Sequence, residues 1–172
     1  ELFVGARRSR EREAARHWLG EHGFLAGRSA PHCAAFLVAT SAGEVGVDLD
    51  ADHMACDLVP WERMVQRLGR VNRRGMGDAQ IIVVEKGEPK AKKPEEPTEL
   101  EKRAAIAWRA KIVLESLPQQ TDGLDTSPRA LLELKSRASV DAALAEQLEA
   151  ATTPAPLRPA LTRSVVDAWA MT

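Results

Sequence analysis

Aromatic residues are scarce in this 172-residue sequence, which has four Trp, three Phe and no Tyr. A platform that stacks successive bases of a single strand needs such rings, so one is not expected. Cysteine is also rare: Cys33 and Cys56 are too few for a disulfide framework and suit a reducing cytoplasm. No apolar run approaches transmembrane length and no signal or transit peptide opens the chain. We therefore expect a cytoplasmic protein without membrane contact.

A large charge of either sign is missing as well. The net charge is −1, with 44% hydrophobic and 28% charged residues, the mixture of a soluble globular protein. No global basic field draws this chain to nucleic acid, so any such contact must come from a local patch.

The apolar pattern divides the chain into three parts. As far as residue 84, short continuous apolar runs alternate with helical patterns, which predicts an α/β fold with a parallel sheet covered on both faces. The runs lie at 2–4, 36–39, 58–59 and 81–84, and the helices at about 9–19 and 61–71. Residues 85–98 contain three prolines and eight charges and are predicted to be a solvated linker.

Residues 99–172 carry helical patterns. We expect Pro118 to stop the first helix, Ser127 to cap the second and Ser139 to open the third. A last amphipathic piece lies around 165–169. We also expect the sequence to begin inside a domain, because residues 1–5 look like a strand entering a turn and no Met precedes them.

The first motif occupies residues 39–50. A strand delivers Thr40 to the carboxyl edge of the sheet, where ligands bind in open α/β folds. Ser41 and Glu44 form a capping-box pair, and Gly46 is placed to end the turn with positive φ. A hydroxyl before free backbone N–H groups suits a phosphate, although a plain strand–turn–helix junction explains the same residues.

The second motif lies within residues 63–77, which contain five arginines and no acidic residue. On a helix, Gln66, Arg70 and Arg73 share one face, and Gly69 would let a ligand or another backbone approach closely. Arginine matches phosphate oxygens with a rigid fork, and lysine is absent from the first 85 residues. A solvated basic face is the alternative, but it does not explain that preference.

Together the two motifs resemble motifs V and VI of superfamily 2 helicases, in which Gln-x-x-Gly-Arg-x-x-Arg lies in the second RecA-like lobe and faces ATP bound to the first. Both motifs, including Asn72, and the arginine-rich opening stretch are most similar to the CRISPR-associated helicase–nuclease of type I interference systems. The resemblance implies a partial RecA-like parallel sheet over 1–84, the charged linker 85–98 and a helical C-terminal appendage over 99–172.

The resemblance also implies roles at the nucleotide. Arg73 would be the arginine finger and Arg70 a second γ-phosphate contact, while Gln66 would help couple the nucleotide to the first lobe. Gly46 and Asp48 would approach the nucleotide, with Asp48 near the ribose.

Other residues would contact the nucleic acid or have only a minor role. Thr40 and Ser41 would hold a nucleic-acid phosphate, and single-stranded DNA is the expected substrate. Arg74, the next residue along the predicted helix from the arginine finger, is expected to matter much less. The first RecA-like lobe is an expected partner, and a CRISPR effector complex is a further candidate.

Several motifs of such a motor are not in the sequence. There is no Gly-x-x-x-x-Gly-Lys-Ser/Thr and no acidic magnesium-binding motif, so ATP and Mg²⁺ would be bound mainly by the first lobe. The isolated chain is therefore expected to lack ATPase activity. There is no His-Asp dipeptide, so the metal-dependent nuclease centre of the family is not expected in this chain either.

Four residues are potential zinc ligands. His32, Cys33, His53 and Cys56 match no standard zinc module, so no metal site is predicted. Two alternatives to the DNA helicase stay open. An RNA helicase of another branch would be favoured by an RNA-contacting tail. A non-catalytic docking or regulatory fragment would be favoured if Arg70 and Arg73 were buried in ion pairs within the chain.

Overall fold

The computed structural model describes residues 2–3, 9–25, 34–41, 47–75, 77–90 and 95–155. These residues form an α/β fold, as predicted, in which short strands alternate with helices in the first half and helices predominate in the second. The elements in chain order are β1 (Leu2–Phe3), α1 (Ser9–Glu21), β2 (Val38–Ala39), β3 (Met54–Asp57), α2 (Trp61–Leu68), β4 (Ile81–Val84), α3 (Glu99–Glu115), β5 (Gln119–Gln120), β6 (Gly123–Leu124), α4 (Pro128–Ala138) and α5 (Ala142–Ala150).

The strands pair in parallel in the first half, as predicted. β1 pairs with β2, and β3 pairs with β4 along its whole length from Met54 opposite Ile81. The strand predicted at 58–59 is wrong, because β3 ends at Asp57. Its sequence, Met-Ala-Cys-Asp, has no β-branched residue, so its strand conformation comes from pairing with β4 and not from local preference. β5 and β6 form an antiparallel hairpin that the sequence did not suggest.

Only one face of the β3–β4 pair is covered by the described residues. Burial alternates along both strands, and Ile82 and Val84 of β4 are 61% and 58% exposed. Their neighbours Ile81 and Val83 pack against the core below. The prediction of a sheet covered on both faces is therefore not met within the described part of the chain. A continuous apolar run cannot reveal which of its two faces will find a covering helix.

One hydrophobic core joins the sheet to the helical segment. Met64 of α2 and Val113 of α3 are fully buried, and α3 and α4 both pack on α5. The core consists of Val59, Met64, Leu68, Ala110, Val113, Leu114, Leu117, Ala130, Leu134, Leu144 and Ala151. Helices beyond residue 99 thus share a core with α2, while the three-part division of the chain stays a prediction. A smaller cluster of Ala15, Leu19 and Leu49 fixes α1.

The helix starts of the second half follow their capping residues. Thr98 caps α3 in a capping box, and Ser127 caps α4 as predicted, by accepting a hydrogen bond from the Ala130 amide at 3.3 Å. The third start is two residues later than predicted, because Asp141 and not Ser139 supplies the capping oxygen. The predicted piece at 165–169 lies outside the described residues. Every helix in the described ranges falls short of the length and apolarity that a membrane crossing requires.

Candidate functional site

Helix α2 ends earlier than its apolar pattern predicts, and this changes the geometry of the arginines. The helix stops at Leu68, and the backbone then leaves the helix axis through residues 69–75, which we call the arginine loop. Gln66 therefore stays on the helix, while Arg70 and Arg73 project from the loop. The prediction that these three residues share one helix face is wrong. A side chain at Gly69 would meet only carbonyl oxygens of α2 itself. Among the described residues, no other backbone occupies the space that the absent side chain leaves.

Backbone hydrogen bonds fix the arginine loop to the segment that follows the first motif. The Ala51 amide donates to the Arg70 carbonyl at 2.8 Å, and the Asn72 amide donates to the Ala51 carbonyl at 2.8 Å. Asn72 has a φ of 46°, a left-handed conformation that asparagine tolerates better than most residues. Its side-chain amide donates to the Gly77 carbonyl at 2.5 Å. These bonds explain why asparagine suits this position.

Asp48 pairs with both Arg70 and Arg73, the two arginines that the resemblance assigns to the γ-phosphate. Its Oδ1 atom lies 3.4 Å from Nη1 of Arg70 and also pairs with Nη1 of Arg73. The Asp48 side chain is 63% exposed, against 35% for Arg73 and 23% for Arg70. The structure thus brings three predicted nucleotide residues together at the surface. The sequence placed Asp48 near the ribose and did not foresee this pairing.

Asp50, two residues further on, holds the loop from inside. Its Oδ1 accepts a hydrogen bond from the backbone amide of Arg73 at 2.9 Å, and its Oδ2 accepts one from Nε of Arg74 at 2.9 Å. The Asp50 side chain is only 3% exposed. No role for Asp50 was predicted from the sequence, and the expectation that Arg74 matters much less than Arg73 stays a prediction. Arg74 belongs to the loop and partners a buried carboxylate.

Arg67 anchors the other end of the arginine-rich segment. From α2, its Nη1 donates to the carbonyl oxygen of Asp57 at 2.8 Å and to the carboxylate of Asp57 at 2.6 Å. Only 12% of the Arg67 side chain is exposed. Partial burial opposes ionisation of Asp57, but the hydrogen bond and charge of Arg67 prevail and lower the pKa of its carboxyl. This contact ties the helix to the end of β3.

The charges therefore pair between two neighbouring stretches of sequence. Arginines of residues 67–74 form ion pairs with aspartates of residues 48–57. The bridge between Ala51 and Val71 joins the backbones of the same two stretches. A signal for this was present, because a run of acids precedes a run of arginines with no acid among them. The pattern could have suggested pairing, but not which acid is buried.

The remaining predicted site residues lie elsewhere or outside the described ranges. Gln66 is exposed on α2, and Arg73 is exposed on the arginine loop. Thr40 and Ser41 are exposed and directly follow β2, at its carboxyl end as expected. Gly46 and the turn that precedes it, residues 42–46, are outside the described residues.

Histidine 53 has a backbone partner. Its Nδ1 lies 3.1 Å from the Gln80 amide and accepts its hydrogen bond just before β4 begins. Among the residues with described positions, no group of three or more His, Cys, Asp and Glu side chains is arranged to hold a metal ion. His32 and Cys33, the other two potential zinc ligands, lie outside the described residues.

The architecture is that of RecA-like helicase domains. A crystal structure titled as T. fusca Cas3-ADP matches 87% of this chain with a TM-score of 0.55 at 25% sequence identity. A second structure, titled T. fusca Cas3-ATP, matches with a TM-score of 0.53 at 22% identity, which supports the fold alone. The chain spans 18% of the length of each of these relatives.

The sequence comparisons are more specific about the family. Residues 2–76 match the family described as the C-terminal region of the CRISPR-associated nuclease/helicase Cas3. A stretch of 41 residues, 24% of this chain and 6% of the relative, is 49% identical to a protein of Myxococcus xanthus (strain DK1622) assigned provisionally as a CRISPR-associated nuclease/helicase Cas3. The resemblance stated from the motifs is confirmed: this chain resembles a C-terminal part of a Cas3 helicase.

Proposed function

We propose that the chain is part of an ATP-dependent superfamily 2 helicase that translocates on single-stranded DNA in CRISPR type I interference. Its role is to supply the arginine finger and part of the strand-binding track. The carrying observation is that Arg70 and Arg73 are gathered at one exposed carboxylate, that of Asp48, on a loop with a fixed backbone. This loop lies inside the segment that matches the Cas3 family.

The chemistry of the two arginines suits a γ-phosphate. Phosphoryl transfer requires little covalent chemistry from the protein, so positioning and charge stabilisation carry most of the catalysis. Arg73 is the arginine finger and Arg70 the second phosphate contact. Gln66, exposed on the helix that leads into the arginine loop, couples the nucleotide to the first lobe. The guanidinium fork offers paired N–H donors to phosphate oxygens, which an ammonium group cannot.

Asp48 gives the arginines a partner that a phosphate can replace. An exposed ion pair contributes only about 0–1 kcal/mol, because water and salt screen it. A nucleotide phosphate carries more charge and more acceptor oxygens than one shared carboxylate oxygen. Release from Asp48 therefore costs little when the lobes close. Asp48 then lies beside the nucleotide, with Gly46, where it can accept a hydrogen bond from the ribose.

The strand-binding track uses other residues of this chain, and the cofactor is held mainly by another lobe. Thr40 and Ser41, exposed at the carboxyl end of β2, would hold a DNA phosphate. Mg²⁺ and most contacts to ATP belong to a first RecA-like lobe, which is the required partner. A CRISPR effector complex is a further partner under the same proposal, and the isolated chain has no ATPase activity of its own.

The docking alternative makes a different demand on the same arginines. It requires Arg70 and Arg73 to be buried in ion pairs within the chain. Both are paired within the chain, but their shared partner Asp48 is 63% exposed. Pairing to an exposed carboxylate is weak, which favours a ligand-binding role over a purely structural one.

The test is strand-stimulated ATPase of the complete motor, in which this chain is joined to its first lobe. Arginine fingers contribute roughly 10³–10⁵ in rate, so Arg73→Ala should lose activity on that order with a smaller change in ATP affinity. Arg73→Lys keeps the charge without the fork and should be nearly as damaging. Arg109→Ala on the exposed side of α3 is the matched control and should be near wild type. Equal, small losses at both positions would contradict the proposal.

A further inference from the structure

We propose that Asp50 is a positioning residue for the arginine finger: its buried carboxylate fixes the backbone of Arg73 and so aims the guanidinium of that residue. The inference rests on the proposed function of Arg73 and adds a residue to it. Neither the motif resemblance nor the comparisons assign a role to Asp50.

The contact acts on the finger residue itself. Oδ1 of Asp50 accepts the hydrogen bond of the Arg73 backbone amide at 2.9 Å, while Oδ2 takes Nε of Arg74 at 2.9 Å. Two oxygens of one carboxylate therefore hold two consecutive residues. Holding the amide of Arg73 fixes the plane of the peptide bond that precedes its Cα, and the bond to Arg74 restrains the chain that follows it. Together the two bonds limit rotation about the Arg73 backbone and so restrict the direction of its Cα–Cβ bond.

Burial separates this carboxylate from the one beside it. The Asp50 side chain is 3% exposed, and that of Asp48 is 63% exposed. A carboxylate removed from water is costly unless its partners are well placed, and a buried ion pair is weak support for stability as such. Specifying one loop conformation is the better-supported use of such a group. A ligand can replace Asp48 as the partner of the Arg73 guanidinium, whereas Asp50 keeps its hold on the Arg73 backbone.

Asp50 is itself held on a fixed segment. Its amide donates to the Phe24 carbonyl at 2.9 Å, and the preceding residue, Leu49, is buried against α1. The following residue, Ala51, exchanges two backbone hydrogen bonds with the arginine loop. The carboxylate therefore works from a stable reference point, which is what a positioning group for catalysis needs.

The first test is Asp50→Asn in the complete helicase. The amide oxygen can still accept from the Arg73 N–H, but the new NH₂ group would face Nε of Arg74, donor against donor. A small misplacement of a positioned group costs on the order of 10²-fold, so kcat of strand-stimulated ATPase should fall roughly 10- to 100-fold. The KM for ATP should change only a few-fold. Asp52→Asn, the same change at an exposed acid nearby, is the control and should keep wild-type kcat.

A double-mutant cycle with Arg74 shows whether the effect passes through the loop. Arg74→Gln should lower kcat like Asp50→Asn, and the double variant should lose no more than either single change, because both act as one unit. Arg74→Lys keeps a charged donor for Asp50 and should recover most of the rate. If Asp50→Asn does not fold, Arg74→Gln and Arg74→Lys decide the matter alone.

The outcomes separate this inference from the proposed function. A lower melting temperature with wild-type kcat per folded molecule, in Asp50→Asn or Arg74→Gln, would show a merely structural role and overturn the inference. Failure of Arg73→Ala to lower ATPase would overturn the proposed function itself. Loss of activity in Arg73→Ala with full activity in Asp50→Asn would remove only the positioning role.

Discussion

The two ends of the arginine-rich segment use the same residue type in opposite ways. Arg67 is 12% exposed, donates to both a carbonyl and a carboxylate of Asp57, and ties α2 to β3. Arg70 and Arg73 share one oxygen of the exposed Asp48 at the surface. The first arrangement ties two elements of the fold together, and the second pairs the arginines with a carboxylate that faces solvent. Side-chain burial, more than residue type, distinguishes the two arrangements.

The largest effect on stability is expected at Arg67, which ties α2 to β3. Arg67→Ala removes the hydrogen bonds to Asp57 and the packing of the arginine stem, which should lower the free energy of unfolding by about 1–3 kcal/mol. Arg73→Ala should change it by less than about 0.5 kcal/mol, since the change is at the surface and its backbone bond to Asp50 remains. Urea denaturation of both variants measures the difference. A greater loss for Arg73→Ala would reverse the comparison.

The same contact predicts a pH dependence. The pKa of Asp57 is lowered in the folded protein, so the unfolded state binds protons more readily and the contact stabilises the fold above the ordinary aspartate pKa. That stabilisation is lost as the pH falls through the lowered pKa. Denaturation at about pH 7 and at about pH 3 should show Asp57→Asn destabilised at the first and much closer to wild type at the second. A constant difference would exclude titration of Asp57 as the cause.

The smallest effect is expected at Asp48, on the affinity for ATP. Asp48→Asn keeps an oxygen that can accept from a ribose hydroxyl but removes the charge that holds the arginines. An exposed pair is worth up to about 1 kcal/mol, so ATP should bind up to about fivefold more tightly to the complete helicase. The gain should shrink at high salt, where the wild-type pair is already screened. Weaker ATP binding at all salt concentrations would mean that Asp48 serves the ribose and does not restrain the arginines.

Most of the architecture could be predicted from the sequence because its signals are local. The apolar runs at β1, β2 and β4, the cap at Ser127 and the two motifs all act within a few residues. The end of α2 was not predicted, because the apolar pattern of Leu68 and Val71 continues beyond the helix. Val71 is buried by pairing with Ala51 in a bridge and not by a further helical turn.

The candidate site was predicted in its residues more than in its geometry. Arg70, Arg73 and Asp48 were all selected, and they do lie together. The burial of Asp50 and its contact with Arg74 were not predicted, since sequence cannot tell a buried aspartate from an exposed one two residues away. That distinction depends on the packing of Leu49 against α1, which is a tertiary event.

We propose that Arg73 serves the nucleotide, whereas Arg67 serves the fold. The most direct test is strand-stimulated kcat per folded molecule, measured with melting temperature, for Arg67→Ala and Arg73→Ala in the complete helicase. We expect Arg73→Ala to melt like wild type and lose roughly 10³–10⁵ in rate. Arg67→Ala should melt earlier and keep most of its rate per folded molecule. Similar rate losses in the two variants, or an active Arg73→Ala, would contradict this account.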